Sequence, residues 1–117
     1  MWDVEYTEAF GTWWETLTED QKVAITAIVG LLEERGPALT RPYADAIKGS
    51  RHSNMRELRV HCQGAPIRLL YAFDPRRVAI LLVGGDKSGD PRWYSVFVPI
   101  ADKLYDEHLL EIETNTS

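Results

Sequence analysis

The stretch Arg56–Val83, RELRVHCQGAPIRLLYAFDPRRVAILLV, decides how this chain folds. It holds three strand-like runs, Arg56–Cys62, Pro66–Phe73 and Arg77–Val83, dominated by Val, Ile, Leu and aromatic residues. The links between them, Gln63-Gly64-Ala65 and Asp74-Pro75-Arg76, are short enough for antiparallel hairpins, so a three-stranded meander is expected. Residues two apart on a strand share a face, which places Arg59 with His61 and turns Leu58, Val60 and Cys62 to the other side. Arg68 is the one charge in PIRLLYAF, and an unpaired buried charge is costly. Two readings are open. Arg68 forms a structural salt bridge, with Glu57 as the partner, or Arg59, His61 and Arg68 line an exposed face whose guanidinium forks hold phosphate.

Toward the N-terminus, Trp2, Val4 and Tyr6 alternate with Asp3 and Glu5 in the period of a short strand. Thr7 then caps a helix in which Phe10, Trp13, Trp14 and Leu17 recur at helical spacing. Thr18-Glu19-Asp20-Gln21 has the capping-box pattern and predicts a second helix, with an apolar stripe from Val23 to Leu32 and a stop at Gly36-Pro37. The polar, proline-containing segment Pro37–Met55 reads as a loop with a short helical turn near Tyr43–Ile47. Beyond the meander lies Gly84–Tyr94, GGDKSGDPRWY. Its glycines read as a hinge, with Asp90 as the cap and Pro91 as the first residue of a helix running to about Glu113. Pro99 predicts a kink in that helix, since an interior proline removes a hydrogen bond. The order is β-α-α-β-β-β-α, an α+β chain with a single domain over residues 1–113 and a polar tail at 114–117.

At 117 residues and 44% hydrophobic content the chain suits one core. Cys62 is its only thiol, so no internal disulfide forms, which suits a reducing cytosol. The N-terminus lacks a basic leader, and the longest apolar run, Val23–Leu32, is too short to cross a bilayer. The expectation is a cytoplasmic protein with no membrane partner. The net charge of −5 hides a segregation: residues 41–95 carry ten Lys and Arg against five acids, and the remainder three against thirteen. Such a split allows one positive face on an acidic body.

GGDKSGDPRWY is expected to leave the last meander strand beside that arginine face. Lys87, Arg92, Trp93 and Tyr94 would then join Arg59, Arg68 and His61, with Lys48, Arg51, His52 and Arg56 as further cations or imidazoles for RNA. Cations for the backbone and rings for unstacked bases are what a single-stranded nucleic acid needs. The plainer reading is a loop-to-helix junction with Trp93 packed inward. Cleaving RNA at its own 2′-hydroxyl takes a proton acceptor, a proton donor and positive charge at the phosphate, with no obligatory metal. GGDKSG lacks the form of a P-loop, and His52, His61 and His108 lack metal-ligand spacing, so no cofactor or metal is expected.

The residues MRELRVHCQGAPIRLLYAFDPRRVAILLVGGDKSGDPRWY, together with PIADKLYDEHL, resemble the HigB-like branch of the RelE/ParE superfamily, the phage-derived Gp49-like group of bacterial type II toxins. The resemblance implies a RelE-like fold, an antiparallel sheet backed by two N-terminal helices. It also implies inhibition of translation by cutting mRNA, commonly in the ribosomal A site. By position, Arg59 matches the basic residue of the family's second strand and Arg68 the arginine of its third. Lys87 falls near the basic residue after the last strand, and Tyr94 near the aromatic or histidine that acts as base or stacking platform. These four form the implied catalytic set. The partners implied are mRNA, the ribosome and a cognate helix-turn-helix antitoxin, through which alone operator DNA is reached. Another branch of the superfamily poisons DNA gyrase without cleaving RNA, and a binding module that only engages antitoxin is the remaining alternative.

Overall fold

Strand β4, Ala65–Phe73, is buried along most of its length because helices cover the sheet on both sides. The computed structural model describes residues 1–115. In chain order it contains β1 (Val4–Tyr6), α1 (Glu8–Trp14), α2 (Glu19–Arg35), a 3₁₀ turn (Gly36–Ala38), β2 (Ala44–Ala46), β3 (Arg56–Cys62), β4, β5 (Ala79–Asp86) and α3 (Trp93–Asn115). The five strands lie in the order β1-β5-β4-β3-β2.

The meander β3-β4-β5 is antiparallel, as its short links require. Its edges depart from expectation. β1 pairs parallel with β5, so the sheet is mixed. The helical turn expected near Tyr43–Ile47 is instead β2, antiparallel to the start of β3. Ala-Asp-Ala carries almost no strand propensity, and its conformation is imposed by pairing with β3.

Alternation along the strands builds two cores. Leu58, Val60, Ile67, Leu69, Tyr71 and Leu81 face α1 and α2, where they meet Phe10, Ile25 and Leu32. Leu70, Ala72, Ile80 and Leu82 face α3 and meet Trp93, Val98, Ala101 and Tyr105. Capping follows the sequence: Thr7 accepts the Phe10 N–H at 3.0 Å, and Thr18 and Gln21 complete the capping box. The Thr7 hydroxyl also donates to the Leu82 carbonyl at 2.7 Å. Leu82 is the extra residue of a bulge, since Tyr71 pairs with Leu81 and Leu70 with Val83.

The bulge rephases the end of β5. Gly84 and Gly85, expected as a hinge, lie within the strand and are pressed by tryptophans from opposite sides. A Cβ on Gly84 would come within 2.4 Å of the Trp13 ring, and one on Gly85 within 2.7 Å of Trp93 Nε1. Asp90 accepts the Arg92 N–H at 3.0 Å as a cap should, but Pro91 and Arg92 form a turn and α3 begins at Trp93. Pro99 lies inside α3, and the helix reaches Asn115, past the expected boundary at Glu113. Residues 116–117 of the expected tail lie outside the described residues. Among the described residues no helix is long and apolar enough to cross a membrane.

A second tie holds α3 to the β4–β5 turn. The side chain of Asp74 is fully buried and receives His108 Nε2 at 2.8 Å, Arg76 Nη2 at 2.7 Å and the Arg76 and Val78 backbone N–H groups. Burial works against its charge, but these donors outweigh it and hold the carboxyl below the ordinary range. Gly85→Ala is predicted to destabilise by about 1–3 kcal/mol, read from urea unfolding, because buried Trp93 cannot move aside. The contribution of the Asp74 carboxylate is complete above about pH 4 and lost as pH falls through its depressed folded value. The stability gap between wild type and Asp74→Asn should therefore narrow in acid; a gap constant down to pH 3 would contradict that role.

Candidate nucleic-acid interface

β3 turns Glu57 and Arg59 to the α3 side of the sheet, and β4 turns Arg68 to the same side. α3 packs over β4 and β5 and its first turn reaches Glu57 on β3, so on this side of β3 it is the Arg59 and His61 end that stays open to solvent. Arg59 stands directly across from Arg68, and Asp45 on β2 directly across from Glu57. Like charges straight across a ladder repel. Opposite charges on the diagonals and along β3 resolve this: Arg59 Nη2 reaches Asp45 Oδ2 at 3.3 Å and Arg68 Nε lies 3.5 Å from Glu57 Oε1 across the strands, while Arg59 Nε reaches Glu57 Oε2 at 3.2 Å along its own strand.

Glu57 is the hub. It is only 3% exposed, and the Tyr94 hydroxyl, from the first turn of α3, donates to its Oε1 at 2.6 Å. Arg68 is nearly as buried and donates Nη1 to the Ile67 carbonyl. Its Nε is close enough to Glu57 for charge attraction but too poorly aimed for a hydrogen bond. Of the two readings of Arg68 the structure has the ion pair with Glu57; the side chain is buried, so the exposed face is formed by Arg59 and His61 without it. Burial, then the Glu57 carboxylate, push the Tyr94 phenol above its ordinary pKa, with Arg68 acting in the opposite sense. Tyr94 therefore keeps its proton at neutral pH. Lys87 Nζ sits 5.5 Å from the Tyr94 ring centre, and its backbone N–H bonds the Pro66 carbonyl, which fixes the loop beside β4.

The four residues of the expected catalytic set, Arg59, Arg68, Lys87 and Tyr94, are thus brought together. The wider RNA-binding set is not. Arg56 points to the opposite face, where it donates to the Leu39 carbonyl and the Tyr71 hydroxyl, because it is an odd number of residues from Glu57 and Arg59's shared face. Arg51 and His52 are drawn to Asp106 on α3, with His52 Nε2 at 2.7 Å. Trp93 is 1% exposed and stacks on Phe97 at 4.7 Å, so its ring is core and cannot receive a base. His61 is exposed on the face of Arg59, Arg92 is exposed in the turn before α3, and Lys48 is exposed in the loop after β2.

The excess of cations in residues 41–95 is therefore spread over both faces, much of it paired: Arg76 with Asp74 and Glu5, Arg77 over the Trp2 ring, Arg51 with Asp106. The acidic remainder is more concentrated. Glu5, Glu8, Glu107 and Glu111 line a groove of about 710 Å³ between the β1–α1 edge and α3. Sequence reasoning had Glu57 only as a salt-bridge partner and missed Asp45. Glu57 was findable as the one acid in Arg56–Cys62, whereas Asp45 became visible only once β2 existed.

The model of the family described as phage-derived protein Gp49-like matches residues 12–106. Two proteins of Mycobacterium tuberculosis, each named as a candidate toxin, are similar. HigB2 is 42% identical over 108 residues, which is 91% of this chain and 54% of HigB2. HigB3 is 48% identical over 92 residues, 78% of this chain and 79% of HigB3. The chain thus spans about half the length of one relative and most of the other. Among solved structures, the archaeal RelE-RelB complex from Pyrococcus horikoshii aligns with a TM-score of 0.54 at 15% identity, covering 75% of this chain and 97% of that one, a likeness of fold.

Removing the hub leaves buried Arg68 without its carboxylate and Arg59 with Asp45 alone. Glu57→Ala is predicted to cost about 3–5 kcal/mol and Tyr94→Phe about 1–2 kcal/mol in urea unfolding. An unchanged midpoint for Glu57→Ala would show that the carboxylate does not hold this cluster.

Proposed function

Because the chain belongs to the Gp49-like family, in the HigB-like branch of the RelE/ParE superfamily, we propose that it is a type II toxin that cuts mRNA without a metal. The observation that carries this reading is the convergence of a carboxylate, a protonated phenol and arginines from two strands in one cluster that opens to solvent at Arg59. RNA cleavage needs those groups. The ribose 2′-oxygen attacks the adjacent phosphorus, forming a P–O2′ bond as the P–O5′ bond breaks, and yields a 2′,3′-cyclic phosphate and a 5′-hydroxyl. Glu57 takes the 2′ proton, and Tyr94 supplies one to the departing 5′-oxygen. Arg59 and Arg68 stabilise the charge that grows on the phosphoryl oxygens, and Lys87 adds to it from the loop.

In this reading Tyr94 is the acid rather than the base, since its raised pKa keeps the proton it must give. His61 and Arg92 flank the cluster as RNA contacts, with Lys48 as an outlying cation. A cognate antitoxin, of the helix-turn-helix kind that the family resemblance implies, holds the toxin inactive and alone touches operator DNA. The cut is made on mRNA at the ribosome in the cytoplasm.

Expression without antitoxin should arrest growth, and mapping of mRNA 5′ ends should reveal new 5′-hydroxyl termini inside reading frames. Glu57→Gln and Tyr94→Phe should each lower cleavage about 10²–10⁴-fold while near-native circular dichroism is kept. Tyr94 places its alkaline limb in the pH–rate profile above about pH 10, and Tyr94→Phe removes that limb. Growth arrest with intact mRNA and DNA-damage signalling would instead identify a gyrase inhibitor.

A further inference from the structure

The charges around Glu57 do not end at Arg59. Asp45 Oδ2, which receives Arg59 Nη2, also receives Arg41 Nε at 2.8 Å, while Asp45 Oδ1 accepts the Ala46 N–H. The result is one unbroken ladder of alternating sign, Arg68–Glu57–Arg59–Asp45–Arg41, across β4, β3, β2 and the turn before β2. Its exposure rises in one direction: the Arg68 side chain is 9% exposed, Arg59 33% and Arg41 74%. It therefore leads from the interior to the surface.

With its side chain 74% exposed, Arg41 at the outer end of the ladder contributes little to stability, so holding the fold explains its contact with Asp45 poorly. Its geometry has another use. Both guanidiniums bond the same carboxylate oxygen, so they stand side by side at a fixed separation. Arg41 engages Asp45 through Nε, and no bond from a described residue takes its Nη1 or Nη2. That edge of the fork has the shape for a phosphate.

We propose that Arg41 binds the backbone phosphate next to the one held by Arg59 and Arg68, and that Asp45 is the positioning residue that sets their spacing. This subsite rests on the reading of the cluster as an RNA-cleaving site, and it runs the strand from Tyr94 across β3 toward the β2 edge. Arg41 touches no reacting atom. Its contribution is affinity and register, and Asp45 acts through the two arginines.

The test uses a short single-stranded RNA with 2′-O-methyl groups, which binds but cannot be cut, carrying one neutral methylphosphonate walked along its length. Fluorescence anisotropy at low salt gives the affinities. For the wild-type chain, neutralising the phosphate next to the central one should weaken binding roughly fivefold, and Arg41→Ala should weaken it similarly while lowering the salt slope by about 0.7. The two losses should not add: in Arg41→Ala that methylphosphonate has no further effect. In Asp45→Asn the penalty should spread over several positions, because Arg41 keeps its charge but loses its place. If Arg41→Ala binds with unchanged affinity and salt slope while Arg59→Ala is weakened, the subsite is overturned and the RNA-cleaving reading stands. If the wild-type chain and Arg59→Ala bind equally poorly, that reading fails and the subsite with it.

Discussion

Glu57 is a carboxylate almost sealed from water, and the cluster around it is the consequence of keeping it charged. A buried carboxylate is tolerable only when compensated, and three elements do so: Arg59 along its own strand and Tyr94 from α3 donate hydrogen bonds, and Arg68 from β4 adds its charge at 3.5 Å. The same convergence fixes the start of α3 over the sheet. It also sets two arginines directly opposite each other, an arrangement that repels unless an acid lies on the diagonal. Cluster and helix position are thus one requirement seen from two sides.

What brings Tyr94 within reach is the bulge at Leu82. One extra residue in β5 reverses which side the following positions face, so Gly84 meets Trp13 and Gly85 meets Trp93. With no side chain on Gly85, the Trp93 indole lies close against the strand, and Tyr94 follows it onto Glu57. The Thr7 hydroxyl bonds the Leu82 carbonyl, so the cap of α1 also secures the irregularity. A single glycine and a threonine therefore carry more of the site's geometry than their chemistry implies.

The legible parts of this chain were those with local causes. Thr7 and the Thr18–Gln21 box announce helix starts, because a capping side chain bonds a backbone group three residues away. The three-strand meander follows from the two short links. The illegible parts have distant causes: Ala44-Asp45-Ala46 is a strand only because β3 lies beside it, and Gly84-Gly85 is extended only because tryptophans from α1 and α3 need the space. The same division runs through the site. Arg59 and Arg68 were identifiable by alternation. The withdrawal of Arg51 and His52 to Asp106, and of Arg56 to Leu39 and Tyr71, depends on partners far along the chain, so a count of cations overstated the positive face.

The paired state of the cluster has a bearing on how it handles a phosphate. In the free chain the Arg59 donors seen bonded go to carboxylates, so an incoming phosphate exchanges one anion for another and gains little from charge alone. The gain lies in geometry: a phosphoryl group in the transition state presents more charged oxygens, spread more widely, than a carboxylate does. Arginines held in place by Glu57 and Asp45 need little reorganisation to meet them, and preorganised donors stabilise developing charge better than mobile ones. The acids that weaken ground-state attraction are thus the same groups that keep the cations fixed for the step in which charge builds up.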